Sequence, residues 1–272
     1  ADTLARTPRK RVKNSIWGEV MSPVLQTNGL TLRYGRFMAI DNVSITLQPG
    51  RRYGVLGPNG AGKTSLLNLL SGTARASAGS ILLDGIDITA QGPAERRRAG
   101  LGRSFQKTSV FMELTVLDNL RLAAQSYRGW RLFDPWTPRL RDREGMSRVI
   151  EFAEQVGLQA RLDTCAAELS YGELRQLEVG LALATEPRVL LLDEPTAGMS
   201  EEETHAIVGM LQRKLPSSLT LLVIEHDLRV IEGLTDHVFV LESGALFEQG
   251  TPAEIRASER VQQAYFKGPA HA

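Results

Sequence analysis

A glycine-rich loop at residues 57–65, GPNGAGKTS, constrains the fold of this chain more than any other stretch. The segment before it, RRYGVLG, predicts a short strand, and the segment after it, KTSLLNLLSG, predicts a helix. In the pattern G-x-x-x-x-G-K-[ST], the glycines let the backbone curl with its N–H groups inward, and the helix adds the positive end of its dipole. The loop therefore predicts a site for the phosphate groups of a nucleotide.

Two side chains of this loop have predicted roles of their own. Lys63 supplies a cation for the β and γ phosphates, and Thr64 offers a hydroxyl to Mg²⁺. The predicted nucleotide-binding residues of the loop are Gly57, Asn59, Gly60, Ala61, Gly62, Lys63, Thr64 and Ser65.

A second motif, VLLLDEP, supplies the matching carboxylates. Its apolar residues 189–192 predict a strand buried on both faces, and this strand ends in Asp193 and Glu194. Ligands bind at the carboxyl ends of parallel strands, so Asp193 fits on the Mg²⁺ side of the site, through water. Glu194 fits as the general base or orienting group for an attacking water. The two motifs together indicate a P-loop nucleotidase, and the absence of an N-K-x-D guanine reader argues against a GTPase.

The rest of the chain alternates strand and helix signals on both sides of a mostly helical block at about 105–180, which predicts an α/β core split by helices. The formal net charge of +1 implies neither nucleic acid nor an anionic membrane as a partner. A single cysteine, Cys165, excludes an internal disulfide. No apolar run approaches the roughly 18 residues of a transmembrane helix.

Two segments lie outside this pattern. Residues 1–22 carry five basic and two acidic side chains, which favours a solvated basic arm, although contact with lipid head groups or a partner is the alternative. The stretch around Trp130 and Trp136 is rich in Pro, Trp and Arg and is typical of a surface insertion.

From Val24 to about Lys267 the chain resembles the ATPase subunit of an ATP-binding cassette transporter. The resemblance depends on several motifs in a fixed order, in addition to the loop and the carboxylate pair. They are Tyr34 in LRYG, Gln106 in GRSFQ, LSYGE at 169–173, AGMS at 197–200, and His226 in VIEHD.

This resemblance implies a fold and a division into parts. The fold is α/β, a P-loop NTPase (RecA-like) core with an N-terminal antiparallel β part and an inserted α-helical signature subdomain. The core is expected at about 23–104 and 185–272, the helical subdomain at about 105–184, and the whole ATPase domain at 23–272.

The resemblance also implies roles for the motif residues, with ATP and Mg²⁺ as ligands. Tyr34 is expected to stack on adenine. Catalysis is expected from Glu194, His226, Gln106 and Lys63, and metal binding from Thr64, Gln106 and Asp193. Two such domains associate head to tail, so that Ser170, Gly172 and Glu173 of one signature face the nucleotide held by the other domain.

The signature departs from the usual LSGGQ at two positions. Tyr171 stands where Gly is usual, and Glu173 stands where Gln is usual. A carboxylate near a phosphate is unfavourable, so the side chain of Glu173 is expected to face solvent or the partner. The AGMS loop lacks the Asp that often ends it, which makes Ser200 a weaker contact across the dimer.

The stretches GLGRSFQKTSVFMELTVLDNLRLAA and RQLEVGLALATEPRVLLLDEPTAGMS are similar to the branch that serves importers of branched-chain amino acids, amides and urea, and to the larger of its two ATPases. That branch implies transmembrane permeases, a second ATPase subunit in a homo- or heterodimer, a periplasmic or extracellular substrate-binding protein, and no nucleic acid. It places the chain peripherally at the cytoplasmic face of the inner or plasma membrane. The alternatives are the ATPase of a lipid or lipopolysaccharide exporter, a soluble non-transport cassette ATPase, and a degenerate nucleotide-binding regulator.

Overall fold

The computed structural model describes residues 22–104, 110–128 and 143–265. The basic arm up to residue 21, the segment that contains Gln106, the insertion around Trp130 and Trp136, and the C-terminal ending after residue 265 lie outside these ranges.

The N-terminal part is an antiparallel sheet, as the resemblance implied. Its strands are β1 (Leu25–Tyr34), β2 (Phe37–Val43), β3 (Thr46–Leu47), β5 (Ala78–Leu83) and β6 (Ile86–Asp87). Their order is β2-β1-β5-β6, with β3 also paired to β1. Buried and exposed residues largely alternate along β1, which is the pattern of a sheet with one face on the core.

The central sheet has the order β11-β10-β4-β9-β8-β7. Its strands are β4 (Arg52–Leu56), β7 (Leu101–Arg103), β8 (Val189–Asp193), β9 (Thr220–Ile224), β10 (His237–Glu242) and β11 (Ala245–Gly250). All neighbours pair in parallel except β10 and β11. Those two form the hairpin that the stretch HVFVLESGALFEQG predicts with Gly244 at its turn, and Ser243 and Gly244 take φ of 49° and 84°, as a type I′ turn requires.

Nine helices flank these sheets within the described ranges. They are α1 (Lys63–Ser71), α2 (Pro93–Arg98), α3 (Val116–Arg128), α4 (Arg143–Gln155), α5 (Tyr171–Leu183), α6 (Glu201–Lys214), α7 (Leu228–Leu234), α8 (Pro252–Ala257) and α9 (Glu259–Tyr265). The sequence patterns did not predict α2, α8 or α9, which are only six or seven residues long. None of the helices in these ranges is both long and apolar enough to span a membrane.

The central strands divide the interior into two cores. In β8, Val189 and Leu191 pack with α1 and the antiparallel sheet, whereas Leu190 and Leu192 pack on the opposite face with the other helices. The strand is therefore apolar throughout, because side chains alternate between two buried faces. This explains why an uninterrupted apolar run predicted it correctly, and why polar residues begin only at its carboxyl end.

A buried arginine closes the far end of α1. The guanidinium of Arg96, 1% exposed, donates to the carbonyl oxygens of Leu69, Leu70, Thr89 and Gln91 at 2.5–3.0 Å. Two of these carbonyls belong to the last turn of α1, where that of Leu69 also accepts from the capping N–H of Gly72 at 3.2 Å. Burial lowers the pKa of Arg96, yet an arginine keeps its charge, so Arg96 holds the phosphate-loop helix in place from behind.

We expect Arg96→Met to destabilise the protein by about 3 kcal/mol, because four carbonyls lose the hydrogen bond that the guanidinium donates. Urea denaturation followed by circular dichroism measures this loss. The control is Arg98→Met, an exposed position on the same helix, where a change below about 0.5 kcal/mol is expected. Equal losses for the two variants would contradict the role given to Arg96.

Candidate active site

The predicted phosphate loop connects the end of β4 to the start of α1 and packs tightly against neighbouring backbone. A Cβ on Gly57 would lie 2.4 Å from the carbonyl oxygen of Leu241, and a Cβ on Gly62 would lie 2.6 Å from that of Ala39. Gly62 also takes φ of 101° where it caps α1. These glycines are therefore required by close approach as well as by backbone conformation.

Lys63 folds back inside this loop. It is 6% exposed, and its Nζ donates to the carbonyl oxygens of Gly57 at 2.6 Å and Pro58 at 3.1 Å. Burial lowers the pKa of Lys63, while the nearby carboxylates of Glu194 and Asp193 act in the opposite direction. The ammonium group is thus held at the centre of the loop, where the predicted phosphates would lie.

Asp193 is the last residue of β8 and is almost fully buried. Its Oδ2 accepts a hydrogen bond from the guanidinium of Arg103 at 3.2 Å, and its Oδ1 is buried without a hydrogen-bond partner among the described residues. Burial raises the pKa of Asp193, and Arg103 partly offsets that effect. A buried oxygen without a partner fits the predicted position near a metal ion or its water.

Glu194 follows in an unusual backbone conformation. Its φ is +49°, which is uncommon for a residue with a side chain, and its N–H donates to the carbonyl oxygen of Ile224 at 2.9 Å. Residues held in such conformations cost about 1–3 kcal/mol and occur often at functional sites. Here the turn directs the carboxylate away from the strand and towards His226.

His226 joins the two halves of the site. Its Nε2 lies 2.5 Å from Oε1 of Glu194, and its Nδ1 lies 3.5 Å from Nζ of Lys63. If Lys63 donates to Nδ1, the proton of the neutral ring is on Nε2 and is directed at Glu194. Three residues that are predicted to be catalytic are therefore in one line of contacts, which sequence spacing did not predict.

Two further charged residues support the site and were missed in the sequence. Glu225 is 3% exposed and accepts from the N–H of Thr196 at 3.0 Å and its hydroxyl at 2.8 Å, and burial raises the pKa of Glu225. Arg103 donates to Asn68, Ser71 and Asp193 and so connects α1 to β8. Glu225 could have been noticed as the acid between an apolar strand and His226, whereas nothing local marks Arg103.

The signature segment begins α5. Ser170 caps the helix, and its Oγ accepts from the N–H of Glu173 at 3.3 Å. The carboxylate of Glu173 accepts from the N–H of Ser170 at 2.9 Å and from Nε of Arg161 at 2.9 Å. The side chain of Glu173 is 23% exposed, and the expectation that it faces solvent or a partner stays a prediction. A capping box turns it back along its own helix, and these hydrogen bonds, the one from Ser170 first, lower the pKa of Glu173.

The remaining predicted residues lie apart from this cluster. Tyr34 ends β1 opposite Phe37, and both rings are more than half exposed, so one face is accessible for stacking. Ser200 caps α6 through a capping box with Glu203. The hydroxyl of Ser170 bonds to Glu173, and among the described residues no hydrogen bond joins Ser170 to the predicted phosphate loop. Gln106 lies outside the described residues.

The chain is similar to known proteins in sequence and in structure. Residues 40–197 match the family model described as ABC transporter. The chain is 34% identical to the high-affinity branched-chain amino acid transport ATP-binding protein BraF of Pseudomonas aeruginosa, over 89% of this chain and 97% of that protein. The same identity and coverage relate it to LivG of Escherichia coli, which carries the same description. Among solved structures, the ADP conformation of an ATP-binding cassette of an ABC transporter superimposes with a TM-score of 0.79 at 30% identity, over 90% of this chain and 99% of that chain.

We expect Arg103→Met to reduce the free energy of unfolding by about 3 kcal/mol, because it leaves the buried carboxylate of Asp193 without its ion pair. Urea denaturation at pH 7.5 measures the change. Arg256→Met is the matched control, since it breaks an exposed ion pair with Glu232 and should cost less than about 1 kcal/mol. A loss for Arg103→Met no larger than that of the control would show that the buried pair contributes little.

Proposed function

The chain belongs to the ABC transporter family, and from that premise we propose that it binds and hydrolyses ATP to drive an importer of branched-chain or related amino acids, amides or urea. The observation that carries the importer assignment is the similarity to two branched-chain amino acid transport ATP-binding proteins, which extends over 97% of their length. The observation that favours hydrolysis over nucleotide binding alone is the line of contacts from Lys63 through His226 to Glu194.

In the proposed reaction Glu194 orients a water molecule towards the γ-phosphate and accepts its proton. General bases of this kind contribute about 10²–10⁴-fold to rates. His226 holds the carboxylate of Glu194 on one side and reaches towards Lys63 on the other, so it senses both the base and the phosphate loop. Lys63 exchanges a carbonyl contact within the loop for the β- and γ-phosphates as ATP enters.

The site also fits Mg²⁺. Asp193 offers a buried Oδ1 that has no protein partner in the described ranges, and Thr64 offers a hydroxyl at the start of α1. We propose Gln106 as a third metal-binding residue on the resemblance alone. The ion would neutralise charge on the phosphates, and Arg103 would keep the Asp193 carboxylate in place for it.

The signature completes the site of a second subunit, identical or not. Ser170 accepts a hydrogen bond from within its own helix and so keeps its hydroxyl proton for a phosphate oxygen of the partner's ATP. Gly172 allows close approach, and the first turn of α5 adds the positive end of its dipole. Tyr34 stacks on the adenine of the ATP that its own phosphate loop holds.

We propose that permease subunits contact a groove beside β7. A cavity of about 250 Å³ lies there between α3 and α5, and Phe111, 60% exposed, lines it. The helical block at 105–184 then acts as a subdomain against the core at 23–104 and 185–272. Such contacts would hold the chain peripherally at the cytoplasmic face of the membrane, with a substrate-binding protein on the other side.

We expect Glu194→Gln to lower ATP turnover at least about 100-fold, because the amide cannot accept a proton, while ATP binding persists. Phosphate release measures turnover, and a fluorescent ATP analogue measures binding. Glu186→Gln is a close control, because Glu186 also has positive φ (47°) and precedes the opposite end of β8. It should keep turnover within about two-fold. Unchanged turnover in Glu194→Gln would remove Glu194 as the base.

The class of transported substrate is tested with the reconstituted transporter. The chain, its co-purifying permeases and their binding protein are reconstituted in liposomes, and ATP turnover is measured with leucine, isoleucine, valine or urea present. Stimulation by one of these substrates supports the importer. Co-purification of an export complex, or stimulation only by lipid, would contradict it.

A further inference from the structure

The tyrosine that replaces the usual glycine of the signature makes a specific contact. The hydroxyl of Tyr171, the first residue of α5, donates to the carbonyl oxygen of Ala197 at 2.9 Å and accepts from the guanidinium of Arg175 at 2.9 Å. A glycine could make neither hydrogen bond. The contact joins the start of the signature helix to the segment that follows Glu194 in the same chain.

That segment, residues 195–200, is short and is held near its start. The N–H of Ala197 donates to the carbonyl oxygen of Glu194 at 3.1 Å, and Thr196 is fastened by the buried Glu225. Gly198 lies against the tyrosine, because a Cβ there would be 3.4 Å from its hydroxyl. A change at Tyr171 therefore acts on Ala197, whose N–H is hydrogen-bonded to the carbonyl oxygen of Glu194.

The orientation of Tyr171 is set by two more residues on the same face of α5. The guanidinium of Arg175 lies 5.3 Å from the ring centroid of Tyr171, and it also donates to Oε2 of Glu178 at 2.7 Å. Burial by itself lowers the pKa of Arg175, but its contacts with Glu178 and Tyr171 outweigh this and raise it. Position 175 lies one helical turn after 171, and 178 lies one turn after 175, so the helix aligns the three side chains.

Glu178, the third of these residues, lines the groove beside β7. The side chain of Glu178 is only 9% exposed, and the residue lines the same cavity as Arg103 and Phe111. A continuous series of polar contacts therefore runs from this cavity along α5 to the backbone beside the catalytic carboxylate.

We propose that Tyr171 is a positioning residue for ATP hydrolysis, held by Arg175 and Glu178, which keeps the 195–200 segment and hence Glu194 in register with the signature helix. This inference rests on the proposed ATPase function. Tyr171 touches neither the nucleotide loop nor Lys63, so it acts on turnover through the segment after Glu194 and leaves nucleotide binding to the phosphate loop.

The test compares Tyr171→Phe, Arg175→Met, Glu178→Gln and the double variant Tyr171→Phe with Glu178→Gln, all in the full chain. We expect Tyr171→Phe to lower kcat about five-fold, the value of one hydrogen bond, with KM for ATP unchanged within about two-fold. The melting temperature should move by less than about 4 °C. Arg175→Met should lower kcat in the same direction, and the effects of Glu178→Gln and Tyr171→Phe should combine to less than their product.

Tyr53→Phe is the matched control. The Tyr53 hydroxyl accepts from the N–H of Gln48 at 2.7 Å in the core, so this variant should lose stability and keep kcat. The inference is overturned if Tyr171→Phe retains kcat or if its kcat and melting temperature fall together. It is also overturned if the loss of kcat in the double variant equals the product of the two single losses. Wild-type protein without ATP turnover would overturn the proposed function and this inference together, whereas an active wild type with an equally active Tyr171→Phe would overturn the inference alone.

Discussion

The contacts from Lys63 through His226 to Glu194 are the feature on which the remaining arrangement depends. Each residue follows a different strand of the central sheet, β4, β9 or β8. Parallel pairing of these three neighbours brings their carboxyl ends to one edge, where polar side chains from distant parts of the sequence meet. Any shift in the register of β8 against β9 would separate Glu194 from His226 and also remove its bond to Ile224.

The buried charges near this edge each have a partner, since Asp193 is paired with Arg103 and Glu225 accepts from Thr196. At the far end of α1 the buried Arg96 donates to four carbonyls. Such groups add little net stability, because the removal of each charge from water costs about as much as its partners return. These pairs instead fix the positions of the side chains, since a buried charge that loses its partner is strongly unfavourable. Glu194, with its positive φ, is held by the hydrogen bond from its N–H to the carbonyl oxygen of Ile224.

Much of the fold could be predicted because its signals are local. The glycine loop, the apolar run of β8 and the hairpin at Gly244 each follow from a few adjacent residues. The position of the Glu173 side chain has a local cause as well, because Ser170 and Glu173 have the spacing of a capping box, and two further helices begin with the same pattern. The hydrogen bonds at the start of the helix explain where this side chain lies.

The sequence by itself determined that this chain has a glycine-rich loop before a helix, a carboxylate pair at the end of a buried strand, and a histidine at the end of another. Motif spacing encodes these features, because each needs only the geometry of a strand and the turn after it. Only the tertiary structure decided that Arg103 pairs with Asp193 across 90 residues, and that Tyr171 reaches Ala197. Those contacts depend on how sheets and helices pack, and a side chain's partner across such a distance leaves no trace in the residues beside it.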